Sequence, residues 1–399
     1  MSRTTTLRFR SIRSARIRLT WFDYSLPSGR GHRAAHLLCL KMPQDTLTSS
    51  CIYCGRSEPA VTFASAEHVF PAGIGGKVCL ARGTVCDSCN TELFSRLELA
   101  FLRNSFVSLP RQFYGPGKRG SLNPVHATPS RVHIMKATNA AGDLTLGFLR
   151  LGEPFQIPQF RWRSSDDIDV IIDPRSGETQ SQLKQLVGKI RAYSAKHTLL
   201  VDPEIGAGRL LFGFHDSKYY AAVSDPGDVT LVGQLVDLLN RGKFEQRNKA
   251  RYSKGQVESR QRVEIDLCGM HRVCGKIAVN AFCHLFGIAV TRSPDLAEIR
   301  KWIHAGGENS FVTLIDQDDQ DLLAALAPIL PEHGHIVLFA SIEGVGLRAL
   351  LSLYRSFTFA IHLSNAAVPI PAPAGFICDW RTGTEWALDE YLRTILPVS

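Results

Sequence analysis

The sequence predicts an α+β protein: a small strand–loop–strand–helix unit stapled by cysteines, followed by a larger α+β domain. Two Cys-x-x-Cys pairs, Cys51/Cys54 and Cys86/Cys89, frame 31 residues, enough for a short hairpin and the start of a helix. Behind the second pair, Leu93, Phe94, Leu97, Ala100 and Phe101 recur at spacings of three and four and form one apolar stripe. Beyond a stretch rich in Gly, Pro, Ser and Lys from Tyr114 to Arg131, runs of strands give way to runs of helices. The expected organisation is a basic leader over residues 1–47, the stapled unit over 48–115, and an α+β domain over 116–399.

Within the stapled unit, Val61–Phe63 reads as a strand leading towards Glu67-His68. Pro71 to Lys77 is a turn-rich loop whose three glycines relax the limits on φ and let the backbone approach a partner closely. Val78–Leu80 and Thr84-Val85 make the return strand, and Asp87 or Ser88 caps the helix that follows. Further on, strands are expected over 132–137, 144–149, 155–160, 168–172, 210–214, 312–315, 336–342 and 357–363, with a turn at Ser352 to Ser356. Helices are expected over 179–195, 229–239, 271–286 and 296–304. There is no internal repeat and no phosphate-cradling Gly-rich signature.

The composition, 44% apolar and 21% charged, is that of an ordinary globular protein. Its most apolar stretch, Ile336 to Tyr354, is interrupted by Glu343 and Arg348, so no membrane partner is expected. Ten cysteines are sparse for 399 residues. The six outside the pairs (Cys39, Cys79, Cys268, Cys274, Cys283, Cys378) read as reduced, buried thiols in a cytoplasmic protein.

The net charge of +9 is local: residues 1–41 hold eight arginines and Lys41 against Asp23. Without them the balance is 37 basic to 36 acidic side chains. The leader reads as a disordered arm on DNA phosphates, a targeting peptide, or sequence upstream of a start at Met42; an unstructured or spurious leader is the favoured reading. The second basic run, residues 241–262 with eight Lys or Arg against two Glu, reads as a solvated linker ahead of a nucleic-acid track. Nothing in the pattern gives His271 or His284 a role.

Each Cys-x-x-Cys turn aims two thiolates at one ion, and two such turns complete a tetrahedral four-sulfur Zn²⁺ site. Because Cys51, Cys54, Cys86 and Cys89 saturate that ion, His68 is left over for other chemistry. Together with Glu67-His68-Val69-Phe70-Pro71, Gly75-Gly76 and Asn90 directly after Cys89, the pairs resemble the HNH endonuclease family, whose core is a ββα-metal fold. The likeness covers about residues 48–105 and is to the variant with two zinc-binding pairs that ends in Asn. A weaker likeness spans Arg272 to Asn280, with no function inferred from it.

The resemblance implies an enzyme that hydrolyses DNA phosphodiester bonds and leaves 5′ phosphates, and extends to defence against phage or plasmid DNA. His68 would take a proton from water, as an imidazole near pKa 6.5 can. Glu67 and Asn90 would hold one hard cation, Mg²⁺ or Mn²⁺, by oxygen atoms that suit it better than zinc. The family's middle Asn, which ties the loop and orients the histidine, has no counterpart between Cys79 and Val85; Thr84 or backbone groups are the substitutes on offer, and Arg82 a phosphate contact. Taken singly, Glu67 also reads as a surface carboxylate, Asn90 as a helix-start amide, and Lys77 as a solvated loop lysine. The alternative function is a non-catalytic zinc-dependent nucleic-acid-binding or sensor protein, for which replacing His68 would change nothing.

Overall fold

Residues 51–107 have little regular structure of their own and share their core with a helix far down the chain. The structure, a computed structural model, describes residues 49–115, 129–137, 143–194, 196–242, 257–260, 265–315 and 326–395. The basic leader with Met42, and residues 243–256 and 261–262 of the second basic run, lie outside the described residues.

After the second cysteine pair, a π-helical segment Ser88–Phe94 runs directly into α1 (Ser95–Asn104), and α2 (Ser108–Tyr114) follows. Phe94 and Phe101 are buried, with Leu93, Leu97 and Ala100 half-buried, as the stripe requires. Asp87 does not cap this helix; its carboxylate turns back to the loop before Glu67.

Two sheets come next. The first takes β1 (His133–Ala137), β2 (Leu144–Arg150) and β3 (Glu153–Gln156) in antiparallel order. The second takes β4 (Gln159–Ser164), β5 (Asp167–Ile171), β6 (Thr198–Val201), β7 (Leu210–His215) and β8 (Lys218–Val223), with β6 parallel to β8. The single strand expected over 155–160 is divided at Ile157-Pro158, where proline has no N–H to give a ladder, and its halves enter different sheets. Helices α3 (Thr179–Arg191) and α4 (Leu231–Arg241) cover the second sheet through Leu186, Ile190, Leu235 and Leu239. β9 (Val257–Arg260), inside the second basic run, closes the first sheet against β1.

The remaining chain supplies the core of the cysteine-stapled unit. Helix α5 (Leu267–Phe286) is started by the Asp266 carboxylate, which accepts from Gly269 N–H at 3.0 Å, and stopped by Gly287 at φ 90°. It is buried without interruption from Val273 to Cys283, the signature of a helix with neighbours on every side. Those neighbours are α1, α6 (Ile288–Thr291), α7 (Ala297–Ala305) and a third sheet. That sheet holds β10 (Val312–Ile315), β11 (Gly334–Ile342), β12 (Gly346–Leu353), β13 (Phe357–Ser364), β14 (Ala374–Asp379) and β15 (Thr384–Ala387). All its pairings are antiparallel, in the order β10-β13-β12-β11-β14-β15, and α8 (Leu388–Ile395) packs on β14. The turn expected at Ser352 to Ser356 is tighter, with Tyr354 and Arg355 at positive φ. One continuous apolar core runs from Ile52, Val69 and Phe70 through α5 to Phe359 and Phe376. Helices and several sheets together make the protein α+β.

Candidate active site

The first Cys-x-x-Cys forms a closed turn, in which Gly55 N–H donates to Cys51 O at 3.0 Å and Cys51 N–H donates to Arg56 O at 2.9 Å. The second sits at a helix start, where Asn90 N–H donates to Cys86 O at 2.9 Å. The two turns bring all four sulfurs within 4.8 Å of one another, with Cys54 Sγ and Cys86 Sγ 3.6 Å apart. A tetrahedral ion with Zn–S bonds of about 2.3 Å sets a sulfur–sulfur spacing of about 3.8 Å, so the donor set fits zinc. Hydrogen bonding from Cys89 draws the Cys51 thiol down to about 4, while the bond to Cys51 raises Cys89 and burial raises Cys86 to about 11. Of the other cysteines, Cys274, Cys283 and Cys378 are buried, Cys79 is half-buried and Cys268, on the first turn of α5, is exposed. Cys39 lies outside the described residues.

Glu67, His68 and Val69 run against Val78–Leu80: Val69 N–H donates to Val78 O at 2.9 Å and Leu80 N–H to Glu67 O at 2.7 Å. The loop between them folds back on itself, and Gly76 makes this possible because a Cβ there would stand 2.0 Å from Phe70 O. The close approach is thus to the chain's own backbone. The amides of Lys77 and Val78 donate to the Glu385 carboxylate of β15, at 2.7 and 2.5 Å. On the other side, Asp87 accepts from Ala64 N–H at 2.9 Å and Ser65 N–H at 2.8 Å, which holds its carboxyl well below the usual range together with the Ser65 and Thr62 hydroxyls. Ser65 Oγ also accepts from Asn90 Nδ2 at 3.1 Å.

Glu67 and His68 meet α5. The Glu67 side chain is 3% exposed and pairs with Lys276 Nζ, which is 1% exposed and also pairs with Glu98 of α1. Two carboxylates hold the ammonium charged and raise Lys276 above its ordinary value against burial; burial raises the Glu67 carboxyl against the pull of Lys276. One turn on, Asn280 donates to His68 O at 2.8 Å and accepts from Tyr53 Oη, inside the first cysteine turn, at 2.6 Å. Burial lowers the His68 imidazole below 6.5; Glu98 works to raise it and Lys276 to lower it. A neutral imidazole beside a carboxylate is suited to accept a proton.

Residues 51–106 match the family model described as HNH endonuclease. This segment is an HNH endonuclease domain. The match brings nuclease chemistry, a nucleic-acid substrate and use of divalent cations at the level of the family. Neither the curated proteins nor the solved structures yield a match.

The HNH domain fits zinc well and a hard cation less well. The structure brings Cys51, Cys54, Cys86 and Cys89 together, while Glu67 and Asn90 are given different partners, Lys276 for the carboxylate and Ser65 for the amide. A buried carboxylate already neutralised by an ammonium is not free to ligate Mg²⁺ or Mn²⁺ as placed. Of the proposed substitutes for the middle Asn, Thr84 Oγ1 is buried without a hydrogen-bond partner, and Arg82 is exposed.

Lys276, Asn280, Tyr53 and Glu98 are the residues that sequence reasoning missed. The signal was a single lysine in the apolar helical run Val273–Val279, with an amide four residues on. Arg300 Nη1, which donates to Ile52 O at 2.7 Å, and Arg292, which donates to Ser50 O, likewise tie the cysteine turn to the far end of the chain. Among the described residues no helix is long and apolar enough to cross a membrane.

Proposed function

We propose that the HNH domain cleaves DNA, with His68 as the general base. The imidazole takes a proton from water, the water oxygen attacks phosphorus, and the bond to the 3′ oxygen breaks, leaving a 5′ phosphate. The observation that carries this reading is the His68 imidazole, lowered below its ordinary pKa by burial, on a segment bridged to Cys79 and set between the four-sulfur cluster and the Asp87–Ser65–Asn90 hydrogen bonds, within the residues that match the family. Zn²⁺ serves structure, since four sulfurs leave it no open position for substrate.

A plasmid-nicking assay tests the proposal, with the wild-type chain and His68→Ala compared in Mg²⁺, Mn²⁺ and EDTA. Nicking by the wild type alone, lost in EDTA, is the expected result. Equal nicking by His68→Ala, or none by the wild type under any of these conditions, would sink it.

A further inference from the structure

We infer that Asn280 is a positioning residue for His68, supplied to the HNH domain by a helix more than 160 residues beyond the end of the matched segment. The inference rests on the reading of His68 as the base and adds to it what holds that base in place.

Asn280 is fully buried, yet each end of its amide is used. Its Nδ2 donates to the main-chain carbonyl of His68 at 2.8 Å and lies 3.4 Å from Glu67 Oε1. Its Oδ1 accepts from Tyr53 Oη at 2.6 Å. One side chain therefore spans the first cysteine turn and the segment that carries the imidazole. A buried amide placed this way is costly unless both ends are satisfied, so it specifies one relative position of the two segments.

The local sequence offers nothing equivalent. The His68 carbonyl points away from the hairpin pairing, which is made by the main chain of Glu67 and Val69. Thr84, the substitute the sequence offered, is buried with its hydroxyl unpartnered. Lys276 lies one turn before Asn280 on the same face and engages Glu67, so α5 fixes two successive residues of the strand, one by a side chain and one by a carbonyl.

The test isolates the bond to His68. In a Tyr53→Phe background the Oδ1 contact is already gone, so adding Asn280→Leu, which keeps the same branched heavy-atom skeleton, leaves no hydroxyl stranded and removes the donor to His68 and Glu67. Asn280→Ala serves if the Leu variant fails to take up zinc. Cleavage rates, KM, zinc content and melting temperature are measured for the wild type, the background and the double variant. The chain contains one His-Val pair, so ¹³C′-histidine with ¹⁵N-valine labelling gives a single carbonyl resonance for His68.

The expected result is a fall in kcat of about 10²-fold against the background, with KM and zinc content unchanged and the His68 carbonyl resonance displaced. A misplaced base costs turnover without costing substrate binding. If kcat does not fall, or falls only in step with melting temperature, or the carbonyl resonance stays where it was, Asn280 is a packing residue and the inference is overturned. If the wild-type chain itself does not cleave, it is the nuclease reading that has failed, and the inference falls with it.

Discussion

Lys276 and Glu67, 209 positions apart in the sequence, form an ion pair with both side chains almost completely shut off from solvent. Such a pair adds little when intact but is costly to break, because the partner left behind is an uncompensated buried charge. Lys276→Met should therefore destabilise the protein by about 3–5 kcal/mol. Adding Glu67→Gln should restore part of that loss, so the two effects will not sum. Denaturant unfolding of the two single variants and the double variant measures the coupling.

The His68 imidazole is lowered from 6.5, chiefly by burial, so it is neutral through the physiological range. A base must be unprotonated, and the cleavage rate should hold level near neutrality and fall only as pH drops below 6.5. Removing the base altogether, in His68→Ala, should cost about 10²- to 10⁴-fold in rate. A pH–rate profile of the wild type with a rise centred above 6.5 would contradict this assignment.

Zinc should be present at one ion per chain. Cys89→Ser should lower that content and reduce thermal stability, because the four-sulfur site closes two turns that otherwise share only a few main-chain bonds. Elemental analysis alongside melting curves with and without a strong chelator tests both statements.

His335 provides an acid-sensitive contact between the third sheet and the HNH loop. It is fully buried, with Nε2 donating to Ile74 O at 3.0 Å and Nδ1 accepting from Tyr354 N–H at 3.1 Å. The bond at Nδ1 needs the neutral ring, the bond at Nε2 does not, and burial lowers the pKa to about 3. The unfolded chain takes up this proton below about 6.5 and the folded chain does not until about 3. The stability it contributes is thus complete above 6.5 and is lost as pH falls between those values. His335→Gln should give a shallower decline in unfolding free energy between pH 6.5 and 4 than the wild type.

The parts of the site that were legible in the sequence are those whose partners lie close along the chain. The cysteine pairs announce a metal by spacing alone, and the helical stripe from Leu93 to Phe101 follows from its period. Lys276 and Asn280 were invisible as site residues because their partners lie 178 to 227 positions away, and no local pattern encodes such a pairing. Some strands drew no expectation from the sequence. Gly346–Leu353, GLRALLSL, is rich in helix formers yet forms β12, since β11 and β13 offer ladders on both its edges. β6, β8, β14 and β15 were missed for a related reason: pairing with neighbours rather than its own composition makes each a strand.

The dependence of the HNH domain on α5 also orders events during synthesis. Every residue of the family motif, from Cys51 to Asn90, leaves the ribosome well before Asn280 has been translated. Until that helix arrives, the His68 carbonyl lacks its Asn280 partner and the apolar side chains of Ile52, Val69 and Phe94 lack part of their cover. A chain cut short by a premature stop or an early protease would therefore carry the motif without the helix that packs against it. The proposed nuclease is complete only once most of the polypeptide exists.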